Sequence, residues 1–300
     1  MKAARRPSGI RDTKGYRVFT VVNTALLLAV CAIMLYPFLT VLAQSFSSSG
    51  AIKAGQVNLI PVGFNVETYA AVGRDKQFWT AYGNTILYTV VGTTIAMILT
   101  TFLAYVISKK HLRGRSFLIG VAVFTMFFNG GIIPNYVLIS SLGMKNTMWA
   151  VVLPGALSVF NLLVMKSFFE NLPRELEEAA QIDGLGWWGI FTRISLPLSK
   201  AVLATMVLFY AVAYWNDWFA AFLYLDQRDL FPVTLHLRNL IAGASTAATE
   251  SAAAAGSQKD AISANIQAVT MILTLIPILT IYPFVQKYFV SGVMLGSVKG

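Results

Sequence analysis

Residues 18–43 form one apolar run, VFTVVNTALLLAVCAIMLYPFLTVLA, and this run most constrains what the chain can fold into. A helix that crosses the hydrocarbon core of a bilayer needs about 20 mostly apolar residues. The basic start MKAARR is compatible with a signal peptide, and VLA before Gln44 would suit cleavage. A signal peptide, however, has an apolar region of only about 7–15 residues. We therefore predict a retained transmembrane helix.

Further apolar stretches follow, so we predict an all-α membrane protein with six transmembrane helices. The stretches lie at about 18–43, 79–108, 116–140, 147–168, 199–225 and 263–289. The composition agrees, because 56% of the residues are hydrophobic and only 12% are charged, against about 25% charged in a soluble domain. NGGIIPN at 129–135 interrupts the third stretch, and the backbone groups freed there need protein or a water-filled cavity.

The lysines and arginines fall mainly on one side of these helices. With the N-terminus placed inside, 16 of the 23 lie in cytosolic segments and seven lie outside. Because cytosolic loops are rich in basic residues, both termini are predicted to be cytosolic. The predicted organisation is a cytosolic segment 1–17, a six-helix domain 18–290 with a cytosolic loop at 170–198 and external segments at 44–78 and 226–262, and a cytosolic tail 291–300. The small-residue run 243–258 is expected to be mobile.

The sequence argues against several functional classes. It contains no G-x-x-x-x-G-K-[ST] loop, so the chain itself is not expected to bind a nucleotide. Its only histidines, His111 and His236, cannot make a confident zinc site or catalytic set, so no catalytic residue, metal or cofactor is predicted in this chain. The net charge of +10 forms no single basic stripe, which argues against nucleic acid. The single cysteine, Cys31, is expected to be a small buried hydrophobe.

One acidic residue, Asp217 in YWNDWF, falls inside a predicted span. Intramembrane acids usually mark ion or proton pathways, and an ion-coupled carrier often has its ion site at broken helices. One acid and one interrupted helix support that class only thinly. Asp217 could instead lie near the outer end of the fifth span, solvated or hydrogen-bonded to Asn216, or it could line a substrate path.

The stretch ELEEAAQIDGLGWWGIFTRISLPL at 175–198 is a patterned, acid-rich cytosolic segment. Asn171 predicts the cap, and Pro173 the first turn, of a helix that begins just before Glu175 and continues into this stretch. Gly184 predicts the end of that helix. A second short helix is predicted over about 187–195. The acids and the shallow apolar face of the first helix suit a docking surface for another protein, but a solvated amphipathic loop fits the same pattern equally well.

The spacing inside this stretch resembles the EAA loop of importer-type ABC permease subunits. Glu178-Ala179-Ala180, Gly184 and Ile194-Ser195-Leu196-Pro197 match E-A-A-x3-G-x9-I-x-L-P without a gap. Other features are similar to the carbohydrate, maltose-type branch: Asp183-Gly184, Ile107-Ser108-Lys109-Lys110, WNDWF at 215–219 and the end SGVMLGSVKG at 291–300. Residues 127–162 are similar to the permeases for complex oligosaccharides, and the whole resemblance covers about 18–300.

This resemblance implies a type I ABC importer permease fold and a role for the loop as the contact with a separate ATPase subunit. Glu178 would make the ionic contact, Ala179 and Ala180 the close-packing surface, and Gly184 the turn. The complete coupling set implied is Glu178, Ala179, Ala180, Asp183, Gly184, Ile194, Leu196 and Pro197. Leu185 and the pair Trp187-Trp188 depart from the family pattern, and these residues could tune which ATPase fits.

The same resemblance implies partners: a second, non-identical permease subunit, an ATPase dimer that binds ATP and Mg, an extracytoplasmic sugar-binding protein, and the lipid of a prokaryotic plasma (inner) membrane. The chain would be a non-catalytic half of the translocation path for an oligosaccharide, working by alternating access. Two alternatives remain: an ABC permease for a non-sugar solute such as an amino acid or polyamine, and an ion-coupled carrier that works alone.

Polar and aromatic residues inside the predicted spans are candidates for the substrate path, although membrane aromatics are more often interface anchors or packing residues. The candidates are Asn129, Tyr136, Asn161, Tyr210, Tyr214, Trp215, Asn216 and Asp217. Asn161 and Asn216 rank highest, because an amide inside a bilayer needs a hydrogen-bonding partner. No obvious basic cluster accompanies them, which argues weakly against a strongly acidic substrate.

Overall fold

The computed structural model of the protein describes residues 13–251, 265–281 and 283, and it contains no strand within those ranges. The helices of the first half are α1 Lys14–Ser45, α2 Ser49–Lys53, α3 Glu67–Arg74, α4 Lys76–Ser108, α5 Arg115–Phe127, α6 Ile132–Ser141, α7 Met148–Val152 and α8 Val159–Glu170. Those of the second half are α9 Arg174–Ile182, α10 Trp187–Ile190, α11 Leu196–Leu198, α12 Lys200–Asn216, α13 Phe219–Tyr224, α14 Val233–Ser251 and α15 Asn265–Ile281. The predicted all-α class is confirmed.

The predicted spans differ in how continuous they are. Helices α1 and α4 are each long and apolar enough to cross a membrane unbroken. Two bent pairs reach that length only together: α5 with α6, bent by 114°, and Trp187–Leu198 with α12, bent by 80°. The break between α5 and α6 covers residues 128–131, so it overlaps the first part of the predicted interruption at 129–135, while 132–135 already belong to α6. The stretch 147–168 is divided into α7 and α8, a division that we did not predict.

Of the described residues, 13–69 and 265–272 form one compact unit. In its described residues, Ala43, Ala51 and Val57 make a small core, and the Asn265 side chain donates to the backbone oxygen of Ser47 at 2.5 Å. The prediction for Cys31 was wrong, because its side chain is exposed on α1. An apolar helix surface of this kind needs no burial inside the chain when lipid can cover it.

The other described residues, 70–251, 273–281 and 283, belong to the second unit. Helix α4 is its centre, since Ala104 and Ile107 pack with Leu162 and Met165 of α8 and with Met206 of α12 in one buried cluster. Small residues on a membrane helix let neighbouring backbones approach closely, and Ala104 is fully buried in this cluster. The helices α8 and α12 that flank the loop at 170–198 are therefore both held against α4.

The outer and terminal segments of the prediction are described only in part. Helix α14 runs through Ser251, so the first part of the run 243–258, which we predicted to be mobile, is helical. The rest of that run lies outside the described residues, as do residues 1–12, the end of the sixth predicted span and the predicted tail 291–300.

Candidate functional site

The loop at 170–198 begins differently from the prediction. We predicted that Asn171 would cap the following helix, and this was wrong: Asn171 ends α8, and its side-chain amide donates to the backbone oxygen of Ser167 at 2.7 Å. Because helix α8 continues to Glu170, the Asn171 amide binds a carbonyl in the last turn of α8 and not the N-terminus of α9. Pro173, which we predicted in the first turn, is the N-cap residue one position before α9 and makes no side-chain capping bond.

The turn at Gly184 confirms the predicted end of this helix. Gly184 has φ +81°, a left-handed conformation that side chains with a Cβ rarely adopt. Its N–H donates to Gln181 at 3.0 Å, and the N–H of Leu185 donates to Ala180 at 2.9 Å. These two bonds satisfy the last carbonyls of α9 in the Schellman arrangement. Asp183, the residue before the turn, is exposed.

The second half of the loop is helical, as predicted, but not regular. After α10, a π-helical turn at Phe191–Ser195 leads into α11. Ile194 and Leu196 are half-buried and Pro197 is exposed. Of these three, Leu196 packs against the buried α4–α8–α12 cluster and so anchors the end of the loop to those helices.

The acids of the loop separate into paired and exposed residues. Glu170 accepts from Arg115 and, at 3.0 Å, from Lys166, and Glu177 accepts from Lys109. The remaining acids are exposed and form no ion pair with any described residue: Glu175, Glu178 and Asp183.

The two alanines of the EAA motif face different surroundings. Ala180 is only 4% exposed, because it packs within the chain, whereas its neighbour Ala179 is exposed. Glu178 and Ala179 therefore present their side chains outward from α9 while Ala180 points back. Of the predicted close-packing pair, Ala179 is the one a partner protein can reach in this conformation.

A cavity of about 490 Å³ lies between this loop and the end of α4. Ser108, Lys109 and Lys110 line it from the α4 side, and Glu177 and Glu178 line it from α9. The ISKK segment and the EAA motif, far apart in sequence, thus meet at one site. From the sequence, Lys109 was identified only as a mark of family resemblance. The available signal was charge, since basic residues end α4 on the side where the acid-rich loop is predicted.

Two of the predicted path residues, Tyr210 and Tyr214, form hydrogen bonds with the backbone at the break between α7 and α8. The Tyr214 hydroxyl donates to the carbonyl of Val152, the last residue of α7, at 2.8 Å. The Tyr210 hydroxyl accepts from the N–H of Ser158, just before α8, at 3.1 Å, and lies 2.6 Å from the Thr100 hydroxyl. Helix ends leave such groups unpaired, and the two tyrosines, one turn apart on α12, satisfy them.

Asn161, which ranked highest with Asn216, is 6% exposed at the start of α8. Asn216 is exposed, and its amide donates to Val212 of its own helix at 2.9 Å. Trp215 is 8% exposed and meets Tyr82 edge-on, with ring centroids 5.9 Å apart. None of these three residues lines the cavity beside the loop.

Asp217 ends α12 and caps α13. Its carboxylate accepts from the N–H groups of Phe219 at 3.0 Å and Ala220 at 3.2 Å, so its hydrogen bonds are to local backbone and not to Asn216. An aspartate at a helix N-terminus stabilises the free donors there. This local role accounts for the acid without an ion pathway.

Asn129 and Tyr136 lie on either side of the bend between α5 and α6. Asn129 is exposed, and its side-chain oxygen accepts from the N–H of Gly131 at 2.9 Å. Tyr136 is half-buried, and the ammonium group of Lys145 lies 5.5 Å from its ring. Lys145 also pairs with Asp226 at 3.0 Å. Hydrogen bonds from Lys145 and then Asn146 lower the pKa of Asp226.

Residues 116–295 match the family described as "Binding-protein-dependent transport system inner membrane component". The chain belongs to this family. It is 40% identical over 293 residues to Protein LplC of Bacillus subtilis (97% of this chain, 98% of LplC). It is 37% identical over 284 residues to the polygalacturonan/rhamnogalacturonan transport system permease protein YtcP of the same organism (95% of this chain, 99% of YtcP).

A solved structure agrees with this assignment. A chain of a bacterial ABC transporter involved in the import of the acidic polysaccharide alginate aligns with a TM-score of 0.83 and 31% identity, covering 94% of this chain and 100% of that one. The predicted ABC importer permease and its type I fold are thus confirmed. The protein is a multi-pass membrane component of a transport system, in a family of non-catalytic permeases.

Proposed function

We propose that this permease is one of two non-identical membrane subunits that form the path of an ATP-driven importer for an oligosaccharide. The similarity to YtcP and to the alginate transporter chain, both over more than nine-tenths of this chain, supports the sugar class. An arabinooligosaccharides permease, AraQ of Halalkalibacterium halodurans, is also similar at 26% identity over 273 residues. A binding protein outside the membrane would deliver the sugar.

The site that carries the proposal is the outward side of α9. Glu178 and Ala179 are exposed beside a turn that Gly184 holds in one conformation. A carboxylate on a fixed helix can pair with a basic residue of a partner, and a neighbouring alanine lets that partner come close. We assign this surface to the ATPase subunit, which would bind ATP and Mg and hydrolyse ATP.

The proposed cycle follows from that contact. We propose that the chain lies in a prokaryotic inner membrane with both termini and the loop on the cytosolic side, as the distribution of lysines and arginines supports. Closure of the ATPase dimer on ATP would draw the two permeases' coupling loops together and switch the path from inward- to outward-facing. Hydrolysis would then reset the complex. The chain itself would hold no cofactor and carry out no chemical step.

The experiment compares Glu178→Lys with Glu175→Lys in the complete importer. Both acids are exposed on α9 and unpaired within the described residues. They differ in the predicted contact and in position, since Glu178 lines the cavity beside Lys109 and Lys110 and Glu175 is not among its lining residues. We expect Glu178→Lys to lower ATPase co-purification and ATP-driven uptake at least tenfold, which corresponds to about 1.4 kcal/mol or more, and Glu175→Lys to change both less than twofold. Equal behaviour of the two variants would refute the assignment.

The substrate class is tested separately on the binding protein. A thermal-shift screen of the associated binding protein should show stabilisation by an oligosaccharide, with neutral and acidic sugars both included because the alginate transporter imports an acidic polymer. Stabilisation only by an amino acid or polyamine would favour the non-sugar alternative. Uptake into liposomes that contain this chain without an ATPase would favour the carrier.

A further inference from the structure

The first half of the loop is attached to the end of α4 by charge. The ammonium group of Lys109, directly after α4, donates to the carboxylate of Glu177 on α9. Their side chains are only 13% and 17% exposed, and the ammonium group lies 4.1 Å from the centroid of the Tyr105 ring. Solvent and salt screen a partly buried pair less than an exposed one. Helix α9 is therefore held to α4 at a defined point.

The second half of the loop is attached to the same helix by aromatic rings. Trp188 stacks on Phe102 of α4, with centroids 5.5 Å apart and ring planes 7° from parallel. Phe191 contacts Phe102 at 5.1 Å and Tyr105 at 4.7 Å. Phe191 is only 4% exposed in these contacts, whereas Trp188 is 64% exposed, so Trp188 is joined to α4 through its stack on Phe102. The helices on both sides of the Gly184 turn thus contact α4 or the residue that follows it.

A third attachment lies where the loop leaves α8. The Arg115 guanidinium donates to the carbonyl of Ile107 in the last turn of α4 at 2.8 Å, and it also donates to the carboxylate of Glu170. Lys166 completes the cluster at 3.0 Å from Glu170. One arginine therefore links the end of α4, the start of α5 and the end of α8.

The opposite side of α9 is left without such contacts. Ala179 is exposed and Ile182 is 87% exposed on this side, while Glu177 and Ala180 face the chain. Glu178, which also lines the cavity, is exposed and forms no ion pair with a described residue. A helix with one side attached and one side open can pass a force from a partner to the element that holds it. A loop lacking the attachments would absorb the same force by moving alone.

We propose that Lys109 and Trp188 are positioning residues that join the coupling loop to α4 as one rigid body. A displacement imposed on the exposed side of α9 then moves α4, and with it the helices α8 and α12 that pack on α4. Trp187-Trp188, the departure from the family pattern, acts within the chain through Trp188. This proposal rests on the proposed function for its driving partner, but the attachment is a property of this chain alone.

The attachment is tested first without any ATPase. A spin label on Ala179→Cys, in a Cys31→Ser background of the full chain, reports the mobility of the exposed side of α9. We expect Lys109→Glu and Glu177→Lys each to increase label mobility, and the charge swap Lys109→Glu/Glu177→Lys to return it to the starting spectrum. Lys110→Glu, the adjacent lysine, is the control, because it forms no ion pair within the described residues.

Its consequence is tested in the complete importer in liposomes. We expect Lys109→Glu to lower the sugar imported per ATP hydrolysed at least fivefold while the ATPase still co-purifies, and the charge swap to restore the ratio to within twofold. Trp188→Ala should lower the same ratio, and Trp188→Phe, which retains a ring against Phe102, should preserve most of it. A merely structural role would lower the amount of complex and leave this ratio unchanged.

The proposal is overturned if the charge swap is no better than the single variants, or if Lys110→Glu matches Lys109→Glu. The proposed contact of α9 with the ATPase and the proposed attachment of the loop to α4 can be refuted independently. An unchanged ATPase association in Glu178→Lys removes the proposed contact but leaves the spin-label result standing. Normal association with an immobile label in Lys109→Glu keeps the contact and removes the rigid attachment.

Discussion

The two helix breaks in the middle of the chain satisfy their free backbone groups in opposite ways. At the α5–α6 bend, the N–H of Gly131 is bound by the neighbouring Asn129, and both residues are exposed. At the α7–α8 break, the groups are bound by Tyr210 and Tyr214 of another helix. The bond compared at the first break is local, whereas the second break combines a local cap by Ser158 with hydrogen bonds from another helix.

This difference teaches that a polar or aromatic residue in a span need not mark a transport path. Irregular backbone at membrane depth is tolerated where protein or water satisfies it. The hydroxyl groups of Tyr210 and Tyr214, both predicted as path candidates, satisfy backbone groups at the second break by hydrogen bonding. Asn129 remains available to a ligand or partner, because its bond is to its own loop.

The largest effect is expected from Gly92→Ala on α4. A Cβ built at Gly92 would lie 2.7 Å from the Tyr214 ring, and the hydroxyl of that ring is held by Val152. Overpacking of this kind destabilises a fold by about 1–3 kcal/mol, and displacement of the ring also removes the hydrogen bond. Thermal unfolding of the purified complex measures the loss.

Gly83→Ala is its control, because Gly83 is on the same helix and a Cβ added there would have nothing within 4 Å. We expect a change within about 0.5 kcal/mol at this position. If Gly92→Ala destabilises the complex no more than Gly83→Ala does, the Tyr214 ring is not fixed against Gly92 by its hydrogen bond to Val152.

Tyr214→Phe should have the next largest effect. It keeps the buried ring, which is 7% exposed, but leaves the Val152 carbonyl without this donor. An unsatisfied buried acceptor costs about 1–3 kcal/mol. Combined with Gly92→Ala, the loss should be smaller than the sum of the two single losses, since both remove the same bond. Full additivity in a double-mutant cycle would contradict the shared mechanism.

The smallest effect is expected from Asn129→Ala. The lost hydrogen bond is exposed, so the free energy of unfolding should change by only about 0.5 kcal/mol or less. Uptake kinetics of the same variant test its predicted path role: a raised KM with unchanged stability would support it, and unchanged kinetics would argue against it. If Asn129→Ala destabilises the protein as much as Tyr214→Phe, the claim that the hydrogen bonds at the two breaks contribute differently to stability is contradicted.

Sequence reasoning succeeded where the deciding interaction is local. The turn at Gly184 follows from the backbone freedom of one residue, and the interruption near Gly131 was marked by glycine and proline. The break between α7 and α8 was missed although Pro154-Gly155 lies in it, because the apolar length of 147–168 was given more weight than this breaker signal. Asn171 was misassigned since the end of α8 was not recognised there.

By itself, the sequence determined the membrane class, the approximate positions of the apolar helices, and the EAA spacing that indicates the permease family. Those properties depend on apolar length and on residues close together in the chain. Only the tertiary structure decided that Glu177 is paired while Glu178 is exposed, and that the Tyr214 hydroxyl donates to the Val152 carbonyl. Lys109 is 68 residues from Glu177 and Tyr214 is 62 from Val152, so each pairing exists only because helix packing brings distant side chains together.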